Sequence, residues 1–295
     1  MPLAFVDGRV VVGNGKVLER ATVLVEGDRI AKVAARAFKI PKNCRRIPLK
    51  GGTLLPGFID AHVHLCLDGS PDPMSSLLNA PLAVSTLKAA NFARATLMAG
   101  VTTIRDMGSK DGIDFGLRQA IRAGIVPGPR MLVSGQLICM TGGHGWQQGR
   151  EANGPDEVRK AAREQIKAGA DLVKLMATGG VLTPAVEPGS EQLTEAELRA
   201  GIEEAHKAGK KTATHAMGTQ GILNALRAGI DSIEHGVYLN DEAVELMRKR
   251  GVALIPTLAA LCQIESNGVA AGIPAFELEE VRLGLDEAEA VRLAD

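Results

Sequence analysis

Residues 57–65, Gly-Phe-Ile-Asp-Ala-His-Val-His-Leu, hold two of the chain's six histidines, one residue apart. Alternate side chains of a strand share a face, so Asp60, His62, His64 and Cys66 project together and Ile59, Ala61, Val63 and Leu65 project oppositely. Neutral imidazole is a common zinc ligand, and two rings at this spacing can reach one ion. The run alone leaves open two hydrogen-bonded polar residues at an ordinary strand end. His215 closes Lys-Lys-Thr-Ala-Thr-His-Ala-Met, and His235 closes Asp-Ser-Ile-Glu-His-Gly, each just before a loop. In a barrel of parallel strands, active sites are built at that C-terminal rim. Four histidines from three strands therefore favour one metal site over three separate coincidences.

Lys174 lies in the apolar run Asp-Leu-Val-Lys-Leu-Met-Ala. A lone buried ammonium is costly, so such a lysine is usually paired, neutral or modified. It could snorkel or meet an acidic neighbour. Beside imidazoles and cations, a neutral amine could instead add CO₂ and become a carbamate, able to bridge two metals in a hydrolytic site. Cys66 is read as buried packing, Asp106 as a group that could orient a ligand, and His206 as a partner of its helix C-terminus.

The elements that must position these residues are marked by one recurring signal. Ala99-Gly100, Ala123-Gly124, Ala168-Gly169, Ala208-Gly209, Ala228-Gly229 and Arg250-Gly251 each follow a helical pattern and open a β-branched run. Glycine just past a helix end supplies the left-handed residue that caps it. The rhythm is that of βα units with parallel strands. About seven strands are predicted: 58–65, 101–106, 130–135, 172–177, 212–216, 232–235 and 252–257. The fold class is α/β, a (β/α)₈-type TIM barrel incomplete by one unit. A doubly wound sheet is disfavoured, because Thr-Gly-Gly-His-Gly fits no phosphate-loop fingerprint. Residues 1–55 form a separate β-module, expected to be antiparallel, with hairpin signals at Asp7-Gly8, Asn14-Gly15 and Gly27-Asp28. The barrel is assigned to 56–275 and a charged amphipathic helix to 276–295.

The 295 residues are 45% hydrophobic, enough for a sizeable core, with 34 basic and 34 acidic side chains. That balance gives no sign of nucleic acid or an anionic membrane as partner. Aromatics at 3% argue against base stacking. The start lacks a signal-peptide pattern, no apolar run would span a bilayer, and the four scattered cysteines suit a reducing, cytoplasmic setting.

Over residues ~3 to 275 the motifs Leu-Leu-Pro-Gly-Phe-Ile-Asp-Ala-His-Val-His-Leu, Ala-Gly-Val-Thr-Thr-Ile-Arg-Asp-Met-Gly, Asp-Leu-Val-Lys-Leu-Met-Ala-Thr-Gly-Gly and Gly-Ile-Asp-Ser-Ile-Glu-His-Gly are similar to those of the amidohydrolase superfamily. The resemblance is strongest to its prolidase-like and imidazolonepropionase-related members. It implies two divalent ions, zinc first, with His62 and His64 on one, His215 and His235 on the other, and carboxylated Lys174 between them. It further implies a bridging hydroxide attacking the amide of a dipeptide or N-acyl amino acid. His144 and Tyr238 would contact substrate and the developing oxyanion. The N-terminal module would be part of a small β-sandwich. The family's strand-eight aspartate has no counterpart here: the sequence passes from Pro-Ala-Phe276 directly into Glu277, which reads as a deletion there and truncation after Asp295. Asp286 and Asp295 sit at no strand end and are not assigned the role. Without that base the chain is expected to bind metal but hydrolyse poorly. Its open sheet edges would also favour pairing into a homo-oligomer. A mononuclear deaminase or cyclic-amide hydrolase, a catalytically impaired form, and phosphotriester or lactone hydrolysis are the alternatives.

Overall fold

The computed structural model describes residues 1–35, 38–181, 183 and 186–272. They fall into two compact units, Met1–Phe58 and a second beginning at Ile59. The predicted helix at 276–295, the break at Phe276-Glu277, and Asp286 and Asp295 lie outside the described residues.

The first unit is a five-stranded sheet of β1 (Leu3–Val11), β2 (Val17–Glu26), β3 (Arg29–Ala34), β4 (Arg45–Pro48) and β5 (Thr53–Leu54). β2 is antiparallel to β1 and to β3, but β4 and β5 both pair with β1 in parallel, which corrects the expectation of an antiparallel module. Valine-rich runs report a pleated, half-buried surface and carry no information on strand direction. Asp7-Gly8 is likewise no hairpin turn. It lies inside β1 at a register shift, with Asp7 at φ 56°. A Cβ on Gly8 would stand 2.3 Å from the Leu49 side chain, so the glycine serves a bulge under which that leucine packs.

The second unit alternates strand and helix. It runs β6 (Phe58–Val63), α1 (Pro73–Asn79), α2 (Leu82–Met98), β7 (Val101–Asp106), α3 (Ile113–Arg122), β8 (Arg130–Val133), β9 (Leu137–Cys139) and β10 (Gly149–Glu151). It continues with α4 (Pro155–Ala168), β11 (Leu172–Met176), α5 (Glu195–Lys207), β12 (Lys211–Ala216), α6 (Thr219–Ala228), β13 (Ser232–His235), α7 (Asp241–Arg250), β14 (Ala253–Ile255) and α8 (Leu258–Ala271). This is an α/β fold on parallel sheets, in the orders β6-β7-β8 and β10-β9-β11-β12-β13-β14. β8 and β11 are joined by Asp171, whose amide donates to Val133 O (2.8 Å) and whose Oδ2 accepts from Val133 N (3.0 Å). The punctuating glycines all have positive φ, and Gly169, Gly229 and Gly251 cap α4, α6 and α7.

The principal core lies between β11–β13 and the helices α4–α6, with Val173, Leu175, Ile202, Ile222 and Ile233 essentially inaccessible. Two expectations fail at β6. The strand ends at Val63, two residues early, so His64 lies just past it. Ile59 is 74% exposed rather than covered by a helix, because among the described residues β6 has only β7 beside it. The short strands β9 and β10 were not predicted; three-residue runs carry too little pattern to read.

Candidate metal centre

The register of neighbouring strands brings the chemistry together. Met176 pairs with His215 across β11 and β12, and Ala216 pairs with His235 across β12 and β13. Lys174 and Met176 share one face of β11 and line a cavity of about 390 Å³, while Val173 and Leu175 of the other face enter the core. His62, His64, His144, His215 and His235 line the same cavity. Ring centres are 5.3 Å apart for His62 and His64, 4.9 Å for His62 and His235, 4.5 Å for His215 and His235, and 4.4 Å for His144 and His215.

Four of the rings are oriented by a hydrogen bond that also fixes the tautomer. His62 Nδ1 faces Glu234 Oε2 at 2.8 Å, and His64 Nδ1 faces Gly108 O at 2.9 Å. Both partners only accept, so both Nδ1 atoms carry the proton and the lone pair is left on Nε2. His215 is reversed: Nε2 faces Gly179 O at 2.9 Å, leaving the lone pair on Nδ1. The Thr257 hydroxyl donates to Pro256 O (2.8 Å) and so accepts from His235 Nδ1–H at 2.7 Å, freeing Nε2. His235 and Thr257 reach each other in left-handed backbone, at φ 72° and 51°. Such conformations are costly for residues other than glycine and gather at functional sites.

Burial keeps these rings neutral. It is the largest cause for every one of them, pulling His64 down to about 4 and His144 down to about 3, and His62, His215 and His235 well below the usual imidazole range. The nearby Lys174 charge acts in the same direction on all five. Lys174, 1% exposed, is itself pulled down to about 8 by burial, against the opposing pull of Glu234. Neutral imidazoles are the ligand form, and a lysine that sheds its proton readily is the nucleophilic form.

Divalent ions fit this donor set. At Zn–N distances of about 2.0–2.1 Å, two imidazoles on one tetrahedral ion have ring centres about 5 Å apart, close to the spacings here. Among the described residues no three imidazole, thiol or carboxylate groups converge as one closed site. The described residues instead present imidazoles in pairs, His62 with His64 and His215 with His235, around a cavity that Lys174 also lines.

The other predicted residues divide. His144 sits in the cavity wall, its Nδ1 2.9 Å from Thr183 Oγ1. Tyr238 does not line that cavity: Val237 does, and Tyr238 faces a shallower pocket beside Gly189 and Ser190. Cys66 is buried, its thiol 3.1 Å from Gln148 Oε1 and pushed up to about 12 by burial. Asp106 touches no ring; it accepts from the amides of Leu65 and Gly108, whose carbonyl holds His64. His206, in the last turn of α5, pairs with Asp231 at 2.8 Å. Glu234 and Arg105 were missed. Glu234 directly precedes His235, and strict strand alternation would have turned it away from the site.

The amidohydrolase family model matches residues 53–290. Ochratoxinase of Aspergillus niger is 31% identical over 296 aligned positions, covering 88% of this chain and 60% of that enzyme. The chain thus spans 60% of the length of that curated relative. A prolidase crystallised with N-methylphosphonate-L-proline superposes with a TM-score of 0.88 at 31% identity, over 97% of this chain and 74% of its own. A Xaa-Pro dipeptidase with methionine bound in its active site gives 0.88 at 29% identity, over 100% and 76%.

Proposed function

This chain belongs to the amidohydrolase family, and on that premise we propose that it hydrolyses an amide bond of a dipeptide or N-acyl amino acid in the histidine-lined cavity. The strands around the cavity are taken as the larger part of a (β/α)₈-type barrel, and the first unit as part of a small β-sandwich. His62 and His64 would hold one divalent ion, His215 and His235 a second, and carboxylated Lys174 would lie between them, with zinc the expected metal. Bound there, such ions supply Lewis acidity and lower the pKa of water.

The remaining work falls to the chain. Met74, Leu137, Met176 and Met217, with Leu261 and Ile264 of α8, give the cavity an apolar wall. An apolar side chain or acyl group laid there leaves water, at roughly 25 cal/mol per Å² buried, and positions its carbonyl among the rings. His144 Nδ1 lies 2.9 Å from Thr183 Oγ1, a hydroxyl that accepts from Gly145 N (3.1 Å) and keeps both its hydrogen and a second lone pair for the ring. As the Nε2–H tautomer, a ring held neutral would offer that hydrogen to a developing oxyanion without surrendering it. We assign the oxyanion role to His144, which lines the cavity, while Tyr238 lines a second pocket.

The observation that carries this reading is that four histidines, with lone pairs fixed by separate acceptors, share one cavity with a buried lysine. Its class is supported by the prolidase, dipeptidase and ochratoxinase relatives. The balanced charge and scattered cysteines support a cytoplasmic setting, and no helix among the described residues is long and apolar enough to cross a membrane. Zinc-loaded protein should cleave members of a panel of Xaa-Pro dipeptides and N-acyl amino acids slowly, since the sequence offers no counterpart of the strand-eight aspartate as base, and His144→Ala should lower kcat about 100-fold further with little change in KM. A metal-loaded chain that cleaves no amide, or a His144→Ala variant as fast as the parent, would refute it.

A further inference from the structure

We propose that Glu234, held by Arg105, is a positioning residue that fixes the tautomer and orientation of His62 and thereby sets its affinity for metal; this rests on the metal reading above. Glu234 is 0% exposed and one carboxylate gathers three donors: His62 Nδ1 (2.8 Å), Arg105 Nη2 (2.7 Å) and Ser232 Oγ (2.7 Å). Arg105 is anchored in turn, donating from Nε to Ala61 O (2.6 Å) and from Nη1 to Ser232 Oγ (3.1 Å).

The placement of this pair gives it a purpose beyond stability. Arg105 lies on β7, Glu234 on β13 and His62 on β6, and the two sheets to which they belong share no ladder among these strands. His62 approaches His235 to 4.9 Å across that break. Side chains rather than backbone pairing therefore set the distance. A buried ion pair gains little net stability, because desolvation offsets the attraction. An acceptor-only carboxylate does impose one outcome on His62, Nδ1–H with the Nε2 lone pair free. Arg105 Nη2 holds the other carboxylate oxygen, Oε1, so the carboxylate cannot turn away from His62. The left-handed φ of 72° at His235 breaks strand alternation, letting adjacent residues 234 and 235 both meet His62.

The test is zinc affinity by equilibrium dialysis, together with long-range ¹H–¹⁵N spectra of the histidine rings in the metal-free full chain. Glu234→Gln, with an amide that can face either way, should weaken zinc binding about 10–100-fold. It should also shift the His62 resonances from the Nδ1–H tautomer to a mixture, while His215 is unchanged and thermal unfolding stays cooperative. Arg105→Lys keeps the charge but loses the fork and should move both readouts in the same direction by less; it serves as the test if Glu234→Gln does not fold. Parent-like affinity and an unshifted His62 spectrum in the folded variant would overturn the proposal. If the parent chain binds no zinc, the metal reading fails, and the His62 tautomer still decides the role of Glu234.

Discussion

At the scale of single residues, the site works by removing choices. Each imidazole has two nitrogens, and at His62, His64, His215 and His235 a specific acceptor uses one of them. Lys174, with its pKa near 8, is about one-tenth neutral at pH 7, enough to capture CO₂. Apo-protein reloaded with zinc in CO₂-free buffer should therefore take up about half the metal that it takes up with bicarbonate, measured by atomic emission. Equal loading would exclude the carbamate. Thr257→Val removes the acceptor from His235 without changing side-chain shape, and should weaken zinc binding about tenfold. The ligand-type residues were legible in the sequence because strand alternation and loop boundaries mark them. Their acceptors were not: Gly108 O and Gly179 O are backbone atoms delivered by loops, and Glu234 reaches the site only through an irregular φ at its neighbour.

At the scale of elements, two aspartates at strand entrances fasten the sheet. Asp171 follows Ala168-Gly169-Ala170 and holds β8, and Asp231 follows Ala228-Gly229-Ile230 and accepts from Thr212 N (2.9 Å) and Lys211 Nζ (2.6 Å) of β12. Asp171→Ala leaves the Val133 amide and the Arg118 guanidinium without that partner. It should cost about 1–3 kcal/mol in urea unfolding, with Asp171→Asn milder; an unchanged midpoint would contradict this. The helix–glycine–strand rhythm was readable because only glycine adopts the left-handed cap cheaply, and Gly169 and Gly229 do so at φ 101° and 98°. The parallel pairing of β4 and β5 was hidden, since strand direction depends on the path between strands rather than on their residues.

At the scale of the whole molecule, one cavity holds five rings that resist protonation. Their folded pKa values lie below the unfolded value, so as pH falls below about 6.5 the unfolded chain binds protons that the folded chain refuses, and stability falls with pH. For His64, at about 4 when folded, the loss by pH 5 is about 2 kcal/mol. Asp114 opposes this: burial raises it to about 6 against the lowering pull of the Gly135 and Phe115 amides and Arg118, which favours the folded state by about 1 kcal/mol at pH 5. Five rings act against that carboxyl and its neighbour Asp106, which burial also raises. Metal-free protein should thus unfold at lower denaturant at pH 5 than at pH 7.5, and a flat profile would contradict the burial described here. Zinc should raise the melting temperature at pH 7.5 in proportion to RT ln(1 + [L]/Kd).

The most direct measurement is the metal content of the zinc-reconstituted chain and of two double variants. Two ions per chain are expected, falling to one in His62→Ala/His64→Ala and to one in His215→Ala/His235→Ala. A parent chain that holds no zinc, or a content unaffected by all four substitutions, would contradict the metal centre.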